Sequence, residues 1–468
     1  MEQKTVNKKV LKIPIILTAI YLALTIVIYI LCPYDWPTKK PVLFYGLNFL
    51  YIAAIFGGYF IGIKLNWRLK RLNVTKFKEH HLVKILSVLA VVNFVMYLIY
   101  VFRSYGFNTF DFASLSKQMV DGLKNPGQGY LAHIKLIADL DGFDVIGGKI
   151  YTLISLMWGF LKDAVVVLCI LYFKDLKIHG KVFTIAYMLL LVLFYISIGT
   201  NIRFFHIVLL LLLPVILKIF DLAYHKKLTF KKGTQLLSII LVGLLIFAVY
   251  FGWMMESRSK ASGYEISDYT IGNVSPPKKP PKEPSEPTSQ IGQKINNLWY
   301  SASSYLSQGY YGMSQALELK WVPMYGLGNS MFLVDTITKN FYDIDQFTYQ
   351  VRLEPYGWDS DVRWHSMYTW VANDVSFYGV IVVMFALGIV FAMMFRDAIK
   401  EKDPFAQASI FFFIILIIFI PCNNQIAQSN ETLCAFLTLI FLWFIGGRKS
   451  EKHSDVVIEQ SEKGELTE

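Results

Sequence analysis

The sequence predicts an all-α, polytopic membrane protein, and three observations predict it. Of its 468 residues 55% are hydrophobic and only 17% charged, where a soluble domain carries about 25% charged residues. Apolar runs of roughly 20 residues, the length a helix needs to cross a bilayer, recur about ten times along the chain. Lysines and arginines gather in every second interval between those runs, as cytoplasmic loops require. Soluble enzymes and nucleic-acid binders are thereby set aside. The net charge of +11 reads as topology and attraction to anionic lipid.

The runs fall at 11–32, 42–63, 82–102, 149–173, 182–199, 204–220, 235–255, 370–395, 406–422 and 429–446. The first is too long for the apolar stretch of a signal peptide, and it continues into Cys32-Pro33-Tyr34 with no small-residue cleavage site. Basic clusters stand at Lys4–Lys9, Lys64–Lys78, Lys174–Lys181, Lys226–Lys232, Arg396–Lys402 and Arg448–Lys449. Ten spans with both termini in the cytoplasm give that alternation. The chain then divides into seven spans over 1–255 with an outer loop at 103–148, a large extracytoplasmic loop over 256–369, three spans over 370–446, and a charged cytoplasmic tail over 447–468. Four cysteines, Cys32, Cys169, Cys422 and Cys434, lack CxxC spacing, and the eight histidines form no ligand cluster. Neither a disulfide framework nor a metal site is expected.

A loop longer than roughly 12–15 residues is uncommon unless it is functional or disordered. Residues 275–288, rich in Pro, Lys, Ser and Glu, read as a linker. Segment 293–318 repeats apolar and aromatic residues at helical spacing, including Trp299, Tyr305, Tyr310 and Tyr311. It predicts an amphipathic helix at the membrane interface. Its rings either anchor the loop or offer flat faces to sugars.

Chemistry-bearing residues concentrate at the outer ends of the spans. Arg203 lies in the turn Gly199-Thr200-Asn201-Ile202-Arg203, where its planar fork either meets a phosphate or snorkels to headgroups. His206 is one helical turn further on. Arg258 opens the large loop. Near the loop's end, the stretch from Arg352 to His365 holds Glu354, Trp358, Asp359, Asp361, Arg363 and Trp364. Arginines there could neutralise a diphosphate, a carboxylate or histidine could take a proton, and aromatics could hold sugar rings. A solvated charge cluster has the same composition. Asp374 sits at the outer boundary of the eighth span. The turn Asn423-Asn424-Gln425-Ile426-Ala427-Gln428-Ser429-Asn430-Glu431 could hydrogen-bond sugar hydroxyls. Lys162 and Asp163 fall near the middle of the fourth span, where ionisable residues are costly and default to a functional role. Adjacent helical positions do not face each other, so each needs its own partner.

Taken together, this layout resembles the Wzy family of integral-membrane polymerases of O-antigen, capsule and exopolysaccharide repeat units. The patches that carry the resemblance are Gly199–Arg203, Ser304–Tyr311, Met324–Ser330 and Asn373–Gly379. The resemblance implies metal-independent, cofactor-free glycosyl transfer on the outer face of the bacterial cell membrane. Its substrates would be undecaprenyl-diphosphate-linked oligosaccharides, and its pathway partners a flippase and a chain-length regulator. Catalysis is then expected from Arg203, Arg258, Arg363, His365 and Asp361. Substrate binding is expected from Arg352, Trp299, Tyr305, Tyr310, Tyr311, Trp358, Asp374 and Glu431. The first outer loop, Pro33-Tyr34-Asp35-Trp36-Pro37, has no DxD pair, which argues against metal-using lipid-linked transferases. A lipid-linked-glycan flippase or transporter and an O-antigen ligase-like transferase are the competing readings.

Overall fold

The computed structural model describes residues 6–65, 79–139, 145–266, 269–275, 290–360 and 362–445. The Pro-rich stretch from 276 onward, Asp361 and the tail at 447–468 lie outside the described residues. Among the described residues the chain is helical throughout, as the composition predicts.

In chain order the helices begin with α1 (Ile13–Leu31), α2 (Pro41–Lys64) and α3 (Glu79–Ser104). Two short helices, α4 (Phe112–Lys124) and α5 (Pro126–Asp139), fill the predicted outer loop. They are followed by α6 (Gly148–Trp158), α7 (Lys162–Leu171), α8 (Ile178–Ser197), α9 (Asn201–Tyr224) and α10 (Phe230–Ser262). The large loop contains α11 (Gln290–Ala316), α12 (Met331–Asn340) and α13 (Tyr349–Arg352). The chain then builds α14 (Met367–Lys400), α15 (Pro404–Phe419) and α16 (Asn430–Ile445).

Among the described residues seven helices are long and apolar enough to cross a bilayer by length and composition: Lys8–Leu31, α2, α3, α8, α9, α10 and α14. The predicted fourth span is not one helix. α6 and α7 meet at a 48° bend, so Lys162 and Asp163 open α7 instead of lying mid-helix. The last two predicted spans are helices of 16 residues each, about 24 Å long. α15 can be that short because other helices bury most of it, so lipid does not set its length.

Three features position the site. First, α2 and α14 pack backbone to backbone: a Cβ at Gly58 would fall 2.0 Å from the Phe385 carbonyl oxygen, and one at Gly388 2.2 Å from that of Ile55. Small residues at such a seam let membrane helices approach closely. Second, α10 has 33 residues and reaches about 50 Å, beyond what a bilayer core needs. Arg258 is therefore carried on a helix near its end and is not the first residue of a loop. Third, α11 is packed into the helix assembly. It packs against α1 and α10, and its second half is buried.

Two faces follow from the contacts. One gathers described residues at the basic clusters, where Arg396 donates to the Leu65 carbonyl at 2.8 Å, Lys402 pairs with Asp221 at 3.4 Å, and Asn7 N donates to the Tyr224 carbonyl. The other gathers the long connections, where Lys40 Nζ donates to the Leu317 carbonyl at 2.7 Å and Gly127 N to Ser257 Oγ at 2.9 Å.

Candidate functional site

The site begins with a glycine. Gly199 ends α8 at φ +61, a left-handed conformation that a side chain disfavours. Thr200 N closes the helix by donating to the Tyr195 carbonyl, five residues back, at 3.0 Å. The turn is tight enough to put Arg203 in the first helical turn of α9. Arg258 locks it from the side by donating Nε to the Gly199 carbonyl at 3.0 Å, with its guanidinium 3.7 Å from the Tyr130 ring centroid.

Above this turn opens a cavity of about 480 Å³ on the long-connection face. Arg203, Arg258 and Arg363 line it, together with His365, Tyr305, Trp364 and Trp370. The connection before α16 contributes Asn423, Gln425, Gln428 and Ser429. Arg363 is oriented by Tyr269, donating to its hydroxyl at 3.2 Å. Arg203 makes no hydrogen bond or ion pair among the described residues.

Several buried polar atoms on the lining residues have no partner among the described residues: both His365 nitrogens, Trp370 Nε1, Gln425 Oε1 and Asn201 Oδ1. Buried polar groups are normally satisfied, so these atoms are positions where a bound group could hydrogen-bond. His365 is 2% exposed, and burial pushes its imidazole down to about 3, which leaves it neutral at physiological pH.

Beside the cavity runs an almost wholly apolar groove of about 310 Å³ between α9, α10, α11 and the end of α15. The two spaces share Asn201, Ile202 and Tyr305. An anionic head in the cavity could therefore lay an apolar tail in the groove.

Of the residues expected from the sequence, Arg203, Arg258, Arg363, His365 and Tyr305 come together here. Others do not line the cavity. Tyr310 is core: its hydroxyl shares a 2.9 Å hydrogen bond with Thr25 Oγ1. Tyr311 stacks on Trp36 at 5.0 Å. Trp358 is fully buried and donates to the Trp364 carbonyl at 3.3 Å. Burial leaves none of these three rings a free face for a sugar. Trp299 is exposed. Arg352 donates to the Lys320 carbonyl at 2.8 Å and lies over Tyr349.

Asp374 is a scaffold residue whose carboxylate accepts from Gly326 N at 2.8 Å, Gly328 N at 2.9 Å and Asn329 Nδ2 at 2.7 Å. With Asn373, which accepts from Tyr349 N and donates to the Gly328 carbonyl, it ties the 324–330 stretch to α14. Glu431 pairs with Lys162 at 3.2 Å in a second pocket of about 220 Å³, where Tyr97, Tyr100, Tyr151, Trp158 and Arg103 also stand.

Sequence reasoning missed Tyr130, on α5. Only its place opposite Arg258 reveals it, and no pattern around it does. The amides of 423–428 were legible as an amide-rich turn.

Fold and site together define a multi-helix membrane protein with an arginine-lined cavity flanked by an apolar groove. Comparison with protein-family models, curated proteins and solved structures finds no match to the chain.

Proposed function

We propose that this protein is a Wzy-type polymerase that joins undecaprenyl-diphosphate-linked oligosaccharide units on the outer face of the bacterial cell membrane. The observation that carries the reading is the union of an arginine-lined, polar-orphaned cavity with an apolar groove. An anionic head, a sugar and a long hydrocarbon tail are the parts of one lipid-linked glycan, and the two spaces fit those parts. The basic clusters gathered on the opposite face support a cytoplasmic placement of that side and of both termini.

In this reading the acceptor's hydroxyl attacks the donor's anomeric carbon as the bond from that carbon to the diphosphate oxygen breaks. Negative charge grows on the departing diphosphate, and Arg203, Arg258 and Arg363 neutralise it. Neutral His365 accepts a hydrogen bond from the attacking hydroxyl. It is a weak base, so the proton ends on the departing diphosphate, the stronger one. Tyr305, Trp364 and Trp370 offer ring faces to the sugars, and the 423–429 amides their hydrogen bonds. A flippase and a chain-length regulator would act before and beside it.

The test is deletion of the gene in its host, with lipid-linked and surface glycans separated on a gel. Collapse of the ladder to single repeats on the outer face supports the polymerase. An intact ladder retained on carrier lipid would show a ligase instead. Single repeats trapped inside would show a flippase.

A further inference from the structure

Lys162 and Asp163 are charged residues that the proposed transfer leaves unused. A void of about 50 Å³ lies against them, walled also by Arg203 and His206, and space on that scale holds one or two waters. His206 is 8% exposed, and its Nε2 has no partner among the described residues. Arg203 lines both this void and the large cavity. Lys162 lines both the void and the second pocket, where it meets Glu431 at 3.2 Å.

Charges of both signs thus meet here: Arg203, Asp163 and Lys162 stand around the void, and Glu431 pairs with Lys162. Asp163 makes no direct ion pair among the described residues, yet it lies within electrostatic reach of Arg203, Lys162 and Glu431. A carboxylate in the first turn of α7 is favoured by the helix dipole alone, but a lysine there is opposed by it. Helix stability therefore does not account for the pair. A counter-ion arrangement accounts for both residues.

We propose that Asp163 is the resident counter-ion of Arg203, shared with Lys162, and that it holds down the cavity's affinity for a diphosphate. The proposal rests on the reading of the cavity as a diphosphate site. An arriving anion must compete with Asp163 for Arg203. The weakened grip suits a site that has to release a diphosphate product after each transfer.

The experiment titrates inorganic pyrophosphate into the purified full-length protein in detergent, read by tryptophan fluorescence, since Trp364 and Trp370 line the cavity. Asp163→Asn should tighten binding roughly three- to tenfold, the scale of one charge removed across a water-sized gap. Asp163→Glu should restore affinity to within about twofold of the natural protein. Glu431→Gln should also tighten binding, by less, because Lys162 then turns its charge on Asp163. In an Arg203→Ala background, Asp163→Asn should change nothing.

Tightening is a direction that a loosened fold does not produce, and Glu431→Gln reads the same sign should Asp163→Asn fail to fold. Unchanged or weaker affinity in these variants, or tightening that persists without Arg203, overturns the proposal. Failure of the natural protein to bind pyrophosphate would instead overturn the reading of the cavity, and this proposal with it.

Discussion

Two arginines near opposite ends of the molecule show what pairing says about purpose. Arg396, on the basic face, is held by Asp397 at 3.2 Å and by the carbonyls of Ile63 and Leu65. Asp397 in turn accepts from Trp443 Nε1 at 3.0 Å. Arg203, on the long-connection face, has no such direct bonds among the described residues and lines open space on two sides. A buried charge that is fully bonded serves the fold, because removing either partner strands the other. A charge left facing a cavity is poised for something that arrives.

Substitution should separate the two sharply. Arg203→Ala should cut chain extension by about 10²–10³ while the protein stays folded in the membrane, checked by the glycan ladder and by membrane abundance. Arg363→Ala should act in the same direction. Arg396→Ala should do the reverse: it removes the cation beside Asp397, which is almost wholly buried and keeps its Trp443 hydrogen bond, and should cost roughly 3 kcal/mol of stability, checked by thermal unfolding in detergent. Full-length glycan from Arg203→Ala would collapse the comparison.

The helix seam offers a second stability contrast. Gly388→Val would drive a side chain into the Ile55 carbonyl, whereas an equal enlargement at Gly46 meets nothing within 4 Å. The first should lose about 1–3 kcal/mol or more as the helices are forced apart, and the second should leave unfolding temperature unchanged.

Spans and basic loops were legible because hydropathy and lysine placement act over roughly 20 residues at a time. The α6–α7 break was not, since an apolar run gives no sign of where its backbone bends. Arg203 was legible from its turn, and Arg363 and His365 from their company. Tyr310, Tyr311 and Trp358 share that composition but went into the core. Whether a ring is covered depends on partners distant in sequence, such as Trp36 and Gly312. Asp374 shows the same limit, because its glycine N–H partners are 46 and 48 residues away.

His365 sharpens the picture through pH. Its folded value near 3 lies below the ordinary 6.5. Below pH 6.5 the unfolded chain therefore binds a proton that the folded one refuses. Stability from this group is fully present above 6.5 and should fall by up to about 1.4 kcal/mol per pH unit between 6.5 and 3. Unfolding midpoints between pH 7 and 4.5 should show the loss, and His365→Gln should flatten it. Activity should show no break near 6.5 on its account, because the ring stays neutral on both sides of that value.

The smallest effect separates two tyrosines on one helix. Tyr305 lines the cavity and the groove, with its ring 4.9 Å from Trp364. Tyr310, five residues on, spends its hydroxyl on Thr25, whose own oxygen also donates to the Leu22 carbonyl at 2.8 Å. Removing the Tyr310 hydroxyl leaves Thr25 bonded, so Tyr310→Phe should cost only about 1 kcal/mol and leave the glycan ladder unchanged. Tyr305→Ala should shorten the ladder with the protein still folded. If Tyr310→Phe shortened the ladder instead, the second half of α11 would belong to the site, and the division between its covered and uncovered rings would have to be redrawn.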